Sequence, residues 1–447
     1  MFLTRDKEYY RTLSRLAPPI VLGNLLTFSI GFTDHFMTAP LGSFAISGIY
    51  LSNQVGMILQ FLVVGIESAL GIIGAQYRAD GEDSSRSACT TIAGAAGLII
   101  SSLLTIVCFL APKWVLSLFS DVGEIIDTGA PFLKILALSF PPYAITRTLI
   151  ASSRAEGRGA IALICPATSF AVNLGLNFLL IPSLGVRGAA TATLAARVSE
   201  LAVAVIYTIH TLRSSGTPIT AYLKVSGCRI KAYALCAMPI LGGQAVWAAS
   251  NFFTSALMSR VSGGDATAAV GVALSLGNLA YALMNAASAS VGVIISRSVG
   301  RGDEESVTMR YANTSELLFL LVGGVALALI LLLSRPFIAL YRLEGADAEL
   351  AASLVRIVAV SFVAISYSAA SLFGIIKSGG EVGFAALCDL ASLLLVTLPL
   401  GITAYRLGAS PVLLFAVLRI EHLIKCVVAA IKIRRGNWMK RLSRGAC

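Results

Sequence analysis

The chain has 447 residues, of which 57% are hydrophobic and only 13% are charged. Soluble domains carry about 25% charged residues, so a water-soluble core could not bury this much apolar surface, and the composition indicates a membrane protein. The net charge is +11, but the basic residues lie in short loops and at the termini, which is an orientation signal and argues against binding to nucleic acid.

The sequence carries no signature of a cysteine or zinc metal site or of an enzyme. The eight cysteines form no C-x-x-C pair and lie mostly in or beside apolar stretches, which favours small apolar core residues over a disulfide or metal role. Only three histidines are present, so no zinc site is expected. No P-loop, nucleophile elbow or dinucleotide fingerprint appears, so we do not expect an enzyme.

Twelve apolar stretches are each long enough to cross a bilayer as a helix of about 20 residues. They lie at residues 16–37, 45–75, 88–111, 130–151, 159–182, 188–211, 232–258, 265–296, 312–334, 351–375, 383–404 and 410–431. A membrane β-barrel would instead show alternating segments of about ten residues. The sequence therefore predicts an all-α membrane protein with twelve transmembrane helices, each satisfying its own backbone hydrogen bonds.

Loop charge predicts the orientation of these spans. The loops on the side of the N-terminus, together with the C-terminal tail, carry 22 of the 34 lysine and arginine residues. Basic loops stay in the cytoplasm, so both termini are expected there, in a multi-pass protein of the cytoplasmic (inner) membrane. The charged N-terminal segment runs into no apolar stretch ending in small residues, so no cleavable signal is expected and the first span is retained.

The two halves of the chain repeat each other. RADGEDSSRS after the second span corresponds to GRGDEESVTM after the eighth, and LKILALSF at 133–140 corresponds to VRIVAVSF at 355–362. Each half has six spans and starts on the same side, which predicts a parallel pseudo-twofold repeat about the membrane normal with a substrate cavity between the halves. We expect an N-terminal lobe at 1–212, a cytoplasmic linker at 213–230 and a C-terminal lobe at 231–447.

Asp34 is the main candidate for a coupling residue. It lies about 18 residues into the first span, and Asn173 and Asn177 lie about 14 and 18 residues into the fifth, which places all three at similar depth. The two asparagines are four residues apart and share one helix face. A carboxylate with two amide oxygens suits a proton or a hard cation such as Na⁺; the alternative is that the asparagines only join neighbouring helices and Asp34 caps at the interface.

Three further acidic residues lie in apolar spans, where ionisable groups usually face the protein interior and carry a function. Glu67 is a candidate second protonation or substrate site, with pairing to Arg147 as the alternative. Asp389, early in the eleventh span, is another candidate for substrate or proton binding, with an interfacial or helix N-terminal role as the alternative. Glu200 is three residues from Arg197, which favours a structural ion pair or a partner that is exchanged during transport.

Two more features concern helix shape and pairing. Glu421 and Lys425 are four residues apart in the twelfth span, and this spacing favours a structural pair. Pro19 would free a carbonyl early in the first span and allow that helix to bend, with a simple helix start as the alternative.

Several segments, taken in order, resemble the multidrug and toxic compound extrusion (MATE) transporters over essentially the whole chain. They are FTDHFMTAPLG with SNQVG, LFSDVGEI, SRAEGRG followed by VNLGLNFLLIPSLGVRGAATATLAARVSE, IIKSGGEVGFAALCDL, and RIEHLIKCVVAAIKIRRGNWMK. The resemblance implies twelve helices in two six-helix lobes, and export of amphipathic, often cationic compounds coupled to entry of H⁺ or Na⁺.

The resemblance also assigns positions. The first-span aspartate of the family falls on Asp34, its span-five asparagine on Asn173 and its bending proline on Pro19. Two positions depart from the family pattern, because Asn177 and Gln244 stand where many members carry an aspartate and a glutamate. Both departures remove a charge, which leaves Asp34 as the main candidate and Gln244 as a candidate substrate contact.

We therefore expect a monomeric antiporter that exports small molecules by alternating access, with membrane lipid around it and no cofactor besides the coupling ion, H⁺ or Na⁺. Asp34 aligns with Thr254 in the repeat, which predicts one coupling site in the N-terminal lobe and a C-terminal lobe that is mainly cavity wall. The alternatives are a flippase for lipid-linked saccharides, which needs a more basic cavity, and a passive channel or non-transporting receptor, which needs repeated rings of like residues.

Overall fold

A computed structural model of the chain describes residues 3–38, 41, 43–215, 220–340 and 345–442. Within these ranges nearly every residue is helical, and the β-structure consists of one isolated bridge between Gly380 and Met439. The predicted all-α fold class is therefore confirmed.

The helices of the first half are mostly long. In chain order they are α1 Lys7–Thr38, α2 Ser43–Ala79, α3 Asp83–Leu110, α4 Pro112–Ser117, α5 Gly123–Ala137, α6 Phe140–Ala155, α7 Ile161–Leu184, α8 Val186–Ser215 and α9 Thr220–Leu223. The short α9 lies in the predicted linker, of which residues 216–219 are outside the described residues.

The helices of the second half include two π-helical turns. The helices are α10 Gly227–Arg301, α11 Glu305–Leu340, α12 Gly345–Ala370, α13 Val382–Ser392, α14 Leu398–Arg406, α15 Pro411–Leu418 and α16 Ile420–Arg434. The π-helical turns are Ser371–Lys377, directly after α12, and Leu393–Thr397, which joins α13 to α14.

Ten helical stretches among the described residues are long and apolar enough to cross a membrane. The other two predicted spans are helices with an internal break. The span expected at 130–151 is divided between α5 and α6 just before Pro141 and Pro142, and the span expected at 410–431 is divided between α15 and α16 at Arg419. Proline and interrupted hydrogen bonding are the usual causes of such breaks.

The sequence predicts a loop between the seventh span, 232–258, and the eighth, 265–296, but the structure has a helix there. The backbone is helical through the whole of α10, which contains two of the ten stretches, Gly227–Thr254 and Ala269–Arg301. Helical hydrogen bonding continues through the polar segment between them, so the backbone shows no separate loop there.

The described chain divides into two compact units. One, here called the C-unit, combines Met1–Ala17 with Met238–Arg444, and the other, here called the N-unit, comprises Pro18–Ala237. The boundaries therefore fall inside α1 and α10. In α1 the boundary coincides with the Pro18-Pro19 pair.

The internal repeat is also visible in the backbone, because glycines with positive φ angles occur at equivalent helix ends in the two halves. Positive φ angles at helix ends favour glycine because it lacks a Cβ. Three pairs of glycines with positive φ recur at nearly constant spacing. They are Gly81 with Gly302, Gly157 with Gly380, and Gly185 with Gly408, separated by 221, 223 and 223 residues.

The N-unit is held together by close helix contacts over small residues. A Cβ atom on Gly48 in α2 would lie 2.7 Å from the backbone nitrogen of Gly129 in α5. A Cβ on Gly23 in α1 would lie 1.9 Å from the carbonyl oxygen of Ala162 in α7. Small residues of this kind allow helix backbones in a membrane to touch, and the second contact fixes α1 against the helix that carries Asn173 and Asn177.

Candidate functional site

The structure brings Asp34 of α1 together with both asparagines of α7. Asn177 Nδ2 donates hydrogen bonds to Asp34 Oδ1 at 2.6 Å and to Asn173 Oδ1 at 3.1 Å. Asn173 Nδ2 donates in turn to Thr193 Oγ1 in α8 at 3.4 Å. Both asparagines are fully buried, and Asp34 is half-buried. Three helices of the N-unit therefore contribute to one hydrogen-bonded chain that ends on a carboxylate.

One oxygen of this site has no partner among the described residues. Asn177 Oδ1 is buried and accepts no hydrogen bond from them. A buried polar atom without a partner costs about 1–3 kcal/mol and calls for an explanation such as a bound ion or water. The Asp34 carboxylate and the amide oxygens of Asn173 and Asn177 are oxygen atoms of the types that hard cations prefer as ligands. The residues present fit either a proton held by Asp34 or a Na⁺ ion.

Glu67 lies in an ion-paired group of its own. Its carboxylate accepts two hydrogen bonds from Arg147, from Nε and Nη2, each at 2.8 Å, and Arg154 Nη2 lies 3.5 Å from its Oε1. Such a bidentate contact is strong and directional. Arg147 is the partner named from the sequence in the ion-pair alternative, whereas Arg154, which lies just beyond the predicted span 130–151, is not named there. The packing of α6 on α2 brings both arginines to Glu67.

Glu200 is paired with its neighbour on α8. Arg197 Nη1 lies 2.8 Å from Glu200 Oε2, and the Arg197 guanidinium stacks over the Tyr143 ring at 4.8 Å from its centroid. The spacing of three residues had indicated this pair. The contact of Arg197 with Tyr143 of α6 depends on the tertiary fold, because the two residues are 54 positions apart in sequence.

Asp389 of α13 belongs to a buried group in the C-unit. Its Oδ1 lies 3.0 Å from Lys425 Nζ in α16, whereas Glu421 Oε1 lies 3.7 Å from the same nitrogen. The sequence had paired Lys425 with Glu421 on spacing alone; the structure keeps that contact and adds a shorter one to Asp389. Gln244 is half-buried in α10, next to Gly243, at which a Cβ would lie 4.0 Å from Asp389 Oδ2.

Pro19 lies inside α1, whose helical assignment continues on both sides of it. The proline pair marks the point where α1 passes from the C-unit to the N-unit. Its proposed bending role remains a prediction.

Both halves of the chain match one known protein family. A model of the family described as MatE matches residues 19–179 and 239–403, which together make up most of the chain. The chain belongs to the MatE family. The resemblance noted in the sequence is thereby confirmed, and the two matched segments fall one in each half of the repeat.

Individual relatives agree with this assignment. The multidrug resistance protein PmpM of Pseudomonas aeruginosa is 25% identical over 195 residues, which is 42% of this chain and 41% of the relative. The probable multidrug resistance protein NorM of Thermotoga maritima is 29% identical over 202 residues, or 42% of each chain. These alignments span only about two fifths of the curated relatives' length.

The fold similarity covers nearly the whole chain. The Vibrio cholerae MATE transporter VcmN, solved as an aspartate-to-asparagine mutant, superposes with a TM-score of 0.85 at 17% identity over 98% of both chains. At this identity the likeness shows the fold alone. With the ten stretches and the two interrupted spans described above, it makes the chain a multi-pass membrane protein with a twelve-helix fold.

Proposed function

We propose that this MatE protein is an antiporter that exports amphipathic cationic small molecules in exchange for H⁺ or Na⁺. The observation that carries the proposal is the Asp34 carboxylate, hydrogen-bonded to Asn177 and placed beside the unpaired Asn177 Oδ1. A carboxylate in such surroundings changes charge when it takes up a proton or a cation. That change alters the contacts that α1 makes with α7.

Antiport follows if the substrate and the coupling ion bind to different charge states of Asp34. A ligand shifts a conformational equilibrium only through different affinities for the two states. An ionised Asp34 favours binding of a cationic substrate, and a protonated or Na⁺-bound Asp34 disfavours it, so the coupling ion and the substrate are bound in turn. The names of the two curated relatives, both multidrug resistance proteins, support efflux as the direction of transport.

The rival functions find less support in the N-unit. A flippase would need buried cations available for phosphate, yet Arg147 and Arg197 lie in contact with Glu67 and Glu200. The expected setting is the cytoplasmic membrane, with both termini on the cytoplasmic side, a monomeric protein and no cofactor beyond the coupling ion.

The test is gradient-driven efflux of ethidium from proteoliposomes, first with an imposed pH gradient and then with an imposed Na⁺ gradient. Asp34→Asn keeps the shape of the side chain and removes its charge, so we expect efflux to fall to the rate of protein-free liposomes. Asp127→Asn is the matched control, because Asp127 is an exposed partner of Lys113. Wild-type efflux by Asp34→Asn would refute the assignment of the coupling site.

A further inference from the structure

The C-unit contains a buried group in which two carboxylates surround one ammonium. Asp389, Glu421 and Lys425 are 7–8% exposed. Lys425 Nζ lies 3.0 Å from Asp389 Oδ1 and 3.7 Å from Glu421 Oε1. The second oxygen of Glu421 accepts a hydrogen bond from Thr397 Oγ1 at 2.6 Å. We call these four residues the C-unit cluster.

The cluster has unused hydrogen-bonding capacity that points to a ligand. Asp389 Oδ2 is buried and accepts no hydrogen bond from the described residues, and the neighbouring His422 Nδ1 is also buried without a partner among them. The orphan carboxylate oxygen lies toward α10 at Gly243, where even an added Cβ would remain 4.0 Å away. Leaving a charged oxygen buried and unpaired is costly, so a donor is expected to reach it.

Local backbone structure also singles out this place. The π-helical turn Leu393–Thr397 follows α13 within four residues of Asp389 and ends on the threonine that binds Glu421. Thr397 Oγ1 lies 3.3 Å from the carbonyl oxygen of Ser392, five residues earlier, as the wider turn requires. Single π-turns inside helices are rare and frequently lie at functional sites.

The charges around the cluster are nearly balanced. Its two carboxylates exceed its one ammonium by one charge. Arg419 and Lys377 lie nearby, but each is stacked on an aromatic ring, at 4.7 Å from the Phe415 centroid and 4.6 Å from the Phe373 centroid. The ionisable groups that face Asp389 or Lys425 from the elements packed around them are Cys388, Glu421, His422, Arg419, Lys377 and Tyr281.

We propose that the C-unit cluster binds the ammonium group of an amine substrate in exchange for a proton of Lys425. The Lys425 ammonium already shows that the space between the carboxylates fits such a group. A substrate ammonium takes that place and donates N–H bonds to Asp389 Oδ1, Asp389 Oδ2 and Glu421 Oε1. One N–H bond of Lys425 Nζ breaks, its electron pair stays on the nitrogen, and the proton leaves to water.

The exchange conserves charge within the cluster, since one monovalent cation enters and one proton leaves. Burial favours the neutral form of a lysine once its carboxylate partners are engaged elsewhere. The inference deepens the proposed function by naming primary amines as a substrate class. It rests on the proposal that the chain exports cations, but not on Asp34. It also departs from the sequence-based expectation that the C-terminal lobe is mainly cavity wall.

The test uses the purified full-length protein and two ligands of similar size, n-hexylammonium and n-hexyltrimethylammonium. Calorimetric titration in buffers of different protonation enthalpy counts the protons released. Wild-type protein should bind hexylammonium with release of about one proton, because binding and deprotonation are linked. The quaternary ligand has no N–H group and should bind at least tenfold more weakly, a difference of about 1.4 kcal/mol.

The variant Lys425→Arg tests whether Lys425 releases a proton on substrate binding or has only a structural role. Arginine keeps the positive charge and both ion pairs but does not lose a proton in proteins, so the variant should fold, bind hexylammonium at least tenfold more weakly and release no proton. Asp389→Asn should show the same losses. Lys432→Arg, on the same helix and stacked over the Phe384 ring, is the matched control and should behave as wild type.

Two outcomes would overturn the inference. Unchanged binding and proton release in Lys425→Arg would make the cluster purely structural. Loss of proton release in Asp34→Asn but not in Lys425→Arg would assign the proton to the N-unit, which contradicts the inference while supporting the proposed function. Conversely, proton release that depends on Lys425 in a protein without ethidium efflux would support the amine site and count against the Asp34 mechanism, so the two proposals fail separately.

Discussion

The properties of Asp34 depend mainly on one neighbour. Among the described residues, the hydrogen-bond partner of its carboxylate is Asn177, which is a neutral donor. Ionised groups in such surroundings cost free energy, and those that occur there are usually functional. The residue types and the four-residue spacing allowed Asp34, Asn173 and Asn177 to be predicted together. Thr193 and the unpaired Asn177 Oδ1 could not be predicted, because both depend on how α7 packs against α8.

Replacing the amide by a second carboxylate tests this arrangement. In Asn177→Asp, two carboxylates would lie within hydrogen-bonding distance of each other, and a pair of this kind holds one proton more tightly than either acid alone. We expect the pH dependence of ethidium efflux to move toward higher pH, measured in proteoliposomes across a series of pH values. Asn251→Asp is the control, because the Asn251 side chain is exposed and donates to the Trp247 carbonyl. An unchanged pH profile would show that Asn177 does not act on the coupling residue.

At the level of helices, the site depends on how closely α1 approaches α7. Gly23 has no room for a side chain, because its Cβ would lie 1.9 Å from the Ala162 carbonyl oxygen, whereas Gly31 on the same helix has nothing within 4 Å of its Cβ position. The two glycines therefore form a matched pair within one helix. The first is required by packing, and the second is not.

We expect Gly23→Ala to move α1 away from α7 and to break the hydrogen bond between Asn177 and Asp34. Overpacking of this kind costs about 1–3 kcal/mol, so both thermal stability in detergent and ethidium efflux should fall. Gly31→Ala should leave both unchanged. Equal effects of the two substitutions would show that the loss reflects glycine in a helix rather than the contact with Ala162.

The membrane-spanning helices could be predicted from the sequence, but the breaks and π-helical turns within them could not. Hydrophobic length was sufficient to find the twelve spans, since it depends only on the sequence within each span. The interruption at Arg419 and the π-helical turn before Leu398 could not be found in this way. The π-turn includes Thr397, whose hydroxyl bonds to Glu421, a residue 24 positions later, so its geometry is stabilised by tertiary contacts.

The ion pairs illustrate the same limit. Arg197 with Glu200 and Glu421 with Lys425 were predicted, because helical spacing alone places those side chains together. The contacts of Arg154 with Glu67 and of Lys425 with Asp389 join different helices and were not predicted. Both of the missed contacts change the interpretation of an acidic residue that the sequence had marked as a candidate.

In the molecule as a whole, the first helix belongs to both units. Its beginning is anchored in the C-unit, where the Thr4 backbone N–H donates to Thr314 Oγ1 at 2.8 Å and the Tyr9 hydroxyl lies 2.8 Å from Ser315 Oγ. Its later part carries Asp34 in the N-unit. In the proposed mechanism, a change in charge at Asp34 acts on a helix whose beginning is held in the C-unit. We therefore expect the anchor to matter for transport, although it lies far along α1 from the proposed coupling site.

The anchor also contains a titratable residue, Asp6, which precedes the first membrane-crossing stretch. Tyr311 donates a hydrogen bond from its hydroxyl to Asp6 Oδ2. This bond, followed by one from the Glu8 backbone N–H, lowers the pKa of Asp6 below its ordinary value. A carboxyl whose folded-state pKa is lowered stabilises the fold above its ordinary pKa of about 4, and the contribution is lost as the pH falls through the folded-state pKa.

Tyr311→Phe removes that hydrogen bond and keeps the aromatic stacking on Tyr9, whose ring centroid lies 5.4 Å away. Because Asp6 is partly exposed, we expect a loss of about 1 kcal/mol at neutral pH. Thermal unfolding in detergent should show a difference between wild type and variant that shrinks as the pH falls below about 4, where Asp6 becomes protonated in both the native and the unfolded state. Tyr50→Phe, at an exposed tyrosine of α2, controls for loss of a hydroxyl. A difference that stayed constant between pH 7 and about pH 3 would mean that Tyr311 stabilises the anchor by packing, and that the first helix is held in the C-unit without the help of the Asp6 charge.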